Sequence, residues 1–272
     1  MAAEATSHAA QVHAEAIPEL PNLITLLSHR WHEAPWVAWL HQWENVVFSI
    51  GVALALCLLT WRYSRRPATI PSGWQNFLEL VVEGVDQFVG RVIGKEGRYF
   101  TPFIGTLFLY IWLMNLSVLV PFLKSSTSNL NTTVALALLV FSYVQWVGVR
   151  RLGLVGHLHH LAGQPRDLVG WLLVPLMLPI HVLGEFIKPL SLSLRLCFNV
   201  FAEDVLLAVM VGLGIGISVG MHLPSWAPVP LQLFVIPLVV IFSTVQALVF
   251  SLLSSVYIAL MLPHEARHPE GH

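Results

Sequence analysis

His181, Glu185, Lys188, Arg195, Glu203 and Asp204 stand together in the stretch PIHVLGEFIKPLSLSLRLCFNVFAED, residues 179–204, with apolar runs on both sides. An ionised side chain at the centre of a bilayer costs about 2.5–3.5 kcal/mol on insertion scales, so such residues mark ion pathways by default. An arginine stays protonated throughout, whereas carboxyl and imidazole groups exchange protons. On a helix, at about 100° per residue, Ser191, Arg195 and Asn199 share one face and Lys188 lies near it. His181 then falls about 40° off that face and roughly 21 Å along the axis from Arg195, while Asp204 points to the opposite side about 13 Å the other way. An arginine between two separate polar groups reads as a barrier between two half-paths for an ion. The last apolar stretch adds Ser243, Thr244, Gln246, Ser251, Ser254, Ser255 and Tyr257. Hydroxyls in membrane helices are often packing contacts. Gln246, with two donors and an acceptor, is equipped to line a wet path.

The elements that must position these groups are apolar. Of 272 residues, 56% are hydrophobic and 11% charged, against roughly a quarter charged in a soluble domain. Mean hydropathy is +0.72. The runs 45–61, 99–123, 125–149, 168–184 and 205–263 hold no Asp, Glu, Lys or Arg. About 20 apolar residues in helical form cross a bilayer core, lipid admits only helices or closed barrels, and the alternation of a barrel strand is missing. The fold class is an all-α integral membrane protein. Two readings of 179–204 stay open on pattern alone. It is a cytoplasmic loop between spans at 168–184 and 205–221, or part of one long tilted helix. Residues 168–217 as continuous helix measure about 75 Å, far beyond the roughly 30 Å core. The absence of glycine from 189–204 and the Ser–Leu alternation there lean toward the helix. Residues 229–262 are over-long too, at about 51 Å.

Residues 73–93 are different. Glu79, Glu83, Asp86 and Arg91 interleave with Phe77, Leu80, Val81, Val85, Phe88 and Val92 at helical spacing, which predicts an amphipathic helix on the cytoplasmic interface. Residues 1–44 read as an extracytoplasmic tail closed by an anchor of Trp31, Trp36, Trp39 and Trp43, with neither the basic start nor the apolar core of a secretory signal. Residues 45–263 form the membrane domain, and 264–272 a polar cytoplasmic tail. Arg62, Arg65, Arg66, Arg91, Lys95, Arg98, Arg150, Arg151 and Arg166 fall on one side, against Arg30 and Lys124 on the other. The positive-inside rule then puts the N-terminus outside and the C-terminus in the cytoplasm.

Other functions are disfavoured. Fourteen Lys+Arg against fifteen Asp+Glu give no basic footprint for nucleic acid. Cys57 and Cys197, both in apolar runs, make neither a disulfide framework nor a cysteine zinc site. His157, His159 and His160 are one cluster beside Arg150 and Arg151. A membrane di-iron enzyme needs several such clusters, so this one reads as a solvated loop, with no metal site and no cofactor expected. A secondary transporter usually shows repeats with broken helices in both halves, whereas here the intramembrane charges are confined to one segment.

With these residues in view, the sequence resembles subunit a of the F-type ATP synthases. The likeness rests on PLSLSLRLCFNVFAED, with Arg195 and Asn199 four apart and an acid nine after the arginine, and on STVQALVFSLLSSVYIAL with Gln246. PSGWQNFLELVVE, GKEGRYFTPFIGTLFLYIWLMNL and SNLNTTVALAL support it, so that it covers about 71–260. The resemblance implies five membrane-crossing segments plus an interfacial helix. The last two crossings are a long tilted hairpin, about 168–262, held against a rotating ring of c subunits. It implies a stator subunit without nucleotide chemistry, in a bacterial plasma (inner) membrane, with the c ring, peripheral-stalk b subunits, the rest of the complex and the lipid bilayer as partners. Two offset half-channels would carry H⁺ or Na⁺. Arg195 matches the family's essential arginine, and Asn199, Asp204 and Gln246 match polar positions of the outward path, with Glu203 beside them. His181 falls where many relatives carry a glutamate of the inward path, and Glu185 is the nearby acid. Lys188, Ser191 and Ser243 are supporting residues. Val239 falls where some relatives place an ionisable group.

Overall fold

The computed structural model describes residues 39–40, 42–64, 73–94, 96–120, 123, 125–161, 168–221 and 229–262. Among these the chain forms six helices and no strand: α1 (Glu44–Ser64), α2 (Trp74–Ile93), α3 (Gly97–Leu116), α4 (Leu130–Leu161), α5 (Leu168–Gly220) and α6 (Gln232–Met261). Two 3-10 turns, Ser117–Leu119 and Ser126–Ser128, separate α3 from α4. All but α2 are long and apolar enough to cross a membrane. Leu54, Leu58, Leu139, Leu183, Phe198, Leu213 and Phe234 lie exposed on the outside. An apolar outer surface of this extent suits lipid and not water. The chain is an all-α, multi-pass membrane protein.

The segment 179–204 is not a loop. α5 runs through it as one helix of 53 residues, about 80 Å long. Pro175, Pro179 and Pro189 lie inside it. Each removes one backbone donor, a loss that membrane helices absorb where neighbouring groups satisfy the freed carbonyls. α6 returns antiparallel to α5. It starts at Gln232 rather than at 229, because Val229 and Pro230 belong to the turn. The Val229 N–H donates to Ser218 Oγ at 2.7 Å.

The core is built from helical stripes. Phe100, Ile104, Leu107 and Ile111 of α3 meet Val140, Val144 and Val147 of α4, Leu192, Leu196 and Val200 of α5, and Ala247, Phe250 and Ile258 of α6. Spacings of three and four keep each set on one face. α2 adds the fully buried Val89 and the nearly buried Ile93, while Glu79, Glu83 and Arg91 stay exposed. Thr101 Oγ1 donates to Asp86 Oδ1 at 2.7 Å and ties α2 to α3. α1 is packed least, with 6% of its apolar window buried. It is held near its first residues, where Ser126 Oγ donates to the Asn45 carbonyl at 2.6 Å and Ser49 bonds the Tyr110 hydroxyl.

The histidine cluster departs from expectation. Gly153 adopts φ 73°, a left-handed conformation that glycine takes without strain, and α4 kinks there. The residues beyond fold back, so that His157 is buried rather than solvated. Gly148 makes room for it, since a Cβ there would sit 2.9 Å from His157 Nδ1. An Arg151–Glu96 pair at 3.0 Å fastens the same end of α4. The tail 1–38, Arg65, Arg66, Lys95, Lys124, Arg166 and residues 264–272 lie outside the described residues.

Candidate functional site

Arg195 lies near the middle of α5, exposed on the same open face as Ser191 and Asn199. The helix turn alone accounts for this grouping, because the three are spaced by four residues. Leu192 and Leu196, on the other face, are buried in the core. Among the described residues Arg195 makes no ion pair or hydrogen bond. The guanidinium is thus presented outward, free for a partner.

On the α6 side of this face, Asn199 Nδ2 donates to Gln246 Oε1 at 2.7 Å. Gln246 is buried, and its Nε2 has no partner among the described residues. One turn further along α5, Ser243 Oγ donates to Glu203 Oε2 at 2.8 Å. Glu203 is only 5% exposed, and its Oε1 is unbonded. Unbonded buried polar atoms are rare in native proteins and commonly mark water or ion positions. Asp204 is half-buried beside it. Val239 is fully buried and clusters with Leu207 and Val235.

A second polar group is formed by the end of α3 and the turns before α4. Thr127 Oγ1 donates to Asn115 Oδ1 at 2.7 Å and bonds Ser125 Oγ at 2.7 Å. Asn115 and Thr127 are fully buried, and Asn115 Nδ2 is unbonded. Cys197 Sγ donates to the Ser128 carbonyl at 3.3 Å, joining the turn to α5. Val118 and Leu119 pack against the cluster of Leu207, Val235 and Val239, about one turn along α5 and α6 from Glu203 and Ser243. The sequence reading passed over Asn115, Ser125 and Thr127. The signal available was a polar run at 125–129 breaking an otherwise apolar stretch.

Toward the other end of α5, Lys188 Nζ pairs with Glu185 Oε1, and Gln145 Nε2 of α4 donates to Glu185 Oε2 at 3.4 Å. Lys188 also sits 5.5 Å from the centroid of the Tyr257 ring of α6. His181, one turn before Glu185, is exposed, with Nδ1 3.0 Å from the Met177 carbonyl. The predicted residues therefore fall into two groups. Asn199, Glu203, Ser243 and Gln246 come together on one side of Arg195, and Glu185 and Lys188 on the other. Gln145 was not foreseen, since nothing in a local pattern says that α4 reaches Glu185. Among the described residues no group of three or more His, Cys, Asp or Glu is placed to hold a metal ion.

Residues 46–259 match the family model described as ATP synthase A chain. The chain is 42% identical over 255 residues to the ATP synthase subunit a of Protochlamydia amoebophila (strain UWE25), covering 94% of this chain and 92% of that one. It is 38% identical over 224 residues to ATP synthase subunit a of Solidesulfovibrio magneticus, covering 81% and 85%. Over 196 residues it is 37% identical to that of Moorella thermoacetica, covering 72% and 80%. A hairpin of two over-long helices with Arg195 on its open face, and a match along most of its length, make this chain a member of the ATP synthase A chain family.

Proposed function

We propose that this chain is the stator subunit a of a rotary F-type ATP synthase. It provides two offset half-channels to and from the carboxylates of a c-subunit ring and couples ion flow to ring rotation. The observation that carries this reading is Arg195 itself, an unpaired guanidinium on the open face of α5. Separate polar groups lie to either side of it along the helix. The outward well is lined by Asn199, Glu203, Asp204 and Gln246, with Ser243 as a donor to Glu203. The inward side carries His181 and the Glu185–Lys188 pair, and Ser191 flanks Arg195.

The chemistry follows from charge. A rotor carboxylate facing lipid keeps its proton or bound ion, because ionisation there is unfavourable. When rotation brings it within about 4 Å of Arg195, the attraction is roughly 4 kcal/mol at an effective dielectric of about 20. That favours release of the ion by about a thousandfold. The same guanidinium repels a cation crossing directly between the wells, so transit requires the ring to turn. The membrane potential supplies about 2.3 kcal/mol per charge per 100 mV. A lysine at 195 would serve poorly, since burial can strip its proton.

In this reading the subunit does no nucleotide chemistry. It works with the c ring, peripheral-stalk b subunits and the lipid of a bacterial inner membrane, with its N-terminus outside and C-terminus in the cytoplasm. α2 lies along the cytoplasmic interface. The test is Arg195→Ala in the whole complex, reconstituted in proteoliposomes. Coupled synthesis and ATP-driven ion pumping are expected to be lost while the subunit still co-purifies with the ring. Normal pumping by the assembled variant would refute the proposal.

A further inference from the structure

Lys188 and Arg195 are seven residues apart. On a helix they lie within about 20° of each other and about 10 Å apart along the axis. Two bare cations so arranged would offer a rotor carboxylate two stopping places. The protein gives only one of them a counter-charge. Lys188 Nζ is paired with Glu185 Oε1, the two side chains being 28% and 14% exposed. Its other neighbours hold this pair in place. Gln145 Nε2 donates to the second Glu185 oxygen at 3.4 Å, and the Tyr257 ring lies under the ammonium at 5.5 Å. The space beside the pair, lined by Glu185, Lys188, Tyr257 and apolar groups such as Val140 and Leu192, is about 10 Å³. That is room for about one water. Arg195 has no comparable partner among the described residues.

We infer that Glu185 acts as the fixed counter-charge of Lys188, leaving Arg195 the single uncompensated cation on this face of α5, and that it does not itself carry the ion. The inference rests on the stator-subunit reading above and assigns Glu185 its role within it. Without Glu185, the bare ammonium would pull on a rotor carboxylate even while it stands at Arg195, about 10 Å away, by on the order of tenfold at an effective dielectric of about 20, and would hold it more strongly on closer approach. The ring would then stall inward of Arg195. Gln145 and Tyr257 are positioning residues for the pair.

The experiment is ATP-driven ion pumping by the whole complex in proteoliposomes, normalised to co-purified ring, for E185Q and for the double variant E185Q/K188M. E185Q is expected to pump on the order of tenfold less, and the double variant to recover most of that loss, because removing the lysine removes the need for its counter-charge. A double variant as slow as E185Q overturns the inference and makes Glu185 an ion carrier. Full activity of E185Q overturns it as well. If E185Q does not assemble, the exchanged pair E185K/K188E decides. It keeps the charges matched while moving the carboxylate, so retained pumping supports the inference and loss of pumping from assembled complex overturns it. Arg195→Ala, run alongside, separates the two levels. Coupled pumping by that variant sinks the stator-subunit reading, whereas its loss together with a slow double variant sinks only the role given to Glu185.

Discussion

Gly214→Ala is the sharpest steric test of the hairpin. A Cβ at Gly214 would lie 2.3 Å from the Val229 carbonyl oxygen, well inside any real carbon–oxygen contact. The obstacle is backbone, so relief requires the turn at Val229 and the start of α6 to move away from α5. Overpacking of this kind costs about 1–3 kcal/mol. The movement also strains the Val229 N–H to Ser218 Oγ bond, 2.7 Å in the native turn, whose loss costs about 0.5–1.5 kcal/mol. Alanine in place of glycine in a helix returns about 0.8–1 kcal/mol. The net is about 1–3 kcal/mol against the closed turn. Amide hydrogen exchange at Val229 in the reconstituted complex reads this directly, and its protection is expected to fall roughly tenfold to a hundredfold. Gly212→Ala and Gly216→Ala are the controls. Neither added Cβ meets an atom within 4 Å, so both are expected to hold or raise protection. Glu203 lies about 16 Å down the helix from Gly214, so ion flux is expected to suffer less than the turn does. Equal protection in Gly214→Ala and Gly216→Ala would show that the turn is not closed as described.

Ser243→Ala removes the donor to buried Glu203, and is expected to destabilise the subunit by about 1–3 kcal/mol and slow ion flux. Ser251→Ala is its foil, because that buried hydroxyl has no partner among the described residues; thermal unfolding that ranks the two alike refutes the distinction. Leucine replacements of Asn199 and Gln246, singly and together, are expected to show a coupling of about 0.5–1.5 kcal/mol, and strict additivity would mean that their 2.7 Å bond is not made. Gly148→Ala pushes against the His157 ring and is expected to loosen the segment after Gly153, read as faster limited proteolysis within 154–161. Cleavage at the native rate speaks against that packing.

Much of the architecture was legible before any coordinates. The charge-free runs mark the crossing segments because lipid tolerates neither charges nor unpaired backbone. The grouping of Ser191, Arg195 and Asn199 is equally local, since a helix of fixed pitch leaves no choice. The split between loop and helix at 179–204 was less clear. Prolines and charges argue for a loop in water, yet α5 passes through them unbroken, and pattern alone could not weigh one against the other. The start of α6 was misjudged by three residues, because Val229 gives its N–H to Ser218 instead of to a helix.

What the linear chain determines by itself is which residues share a face and which stretches belong in lipid, because both depend on short-range geometry and on composition. It leaves undecided which face meets which neighbour. That Glu203 meets Ser243, that Gln145 reaches Glu185 and that His157 turns inward to Gly148 were decided only when the helices packed. Inside a membrane, helix pairing is chosen by close fit and hydrogen bonds between side chains far apart in sequence, and one helix's periodicity holds no record of its partner's.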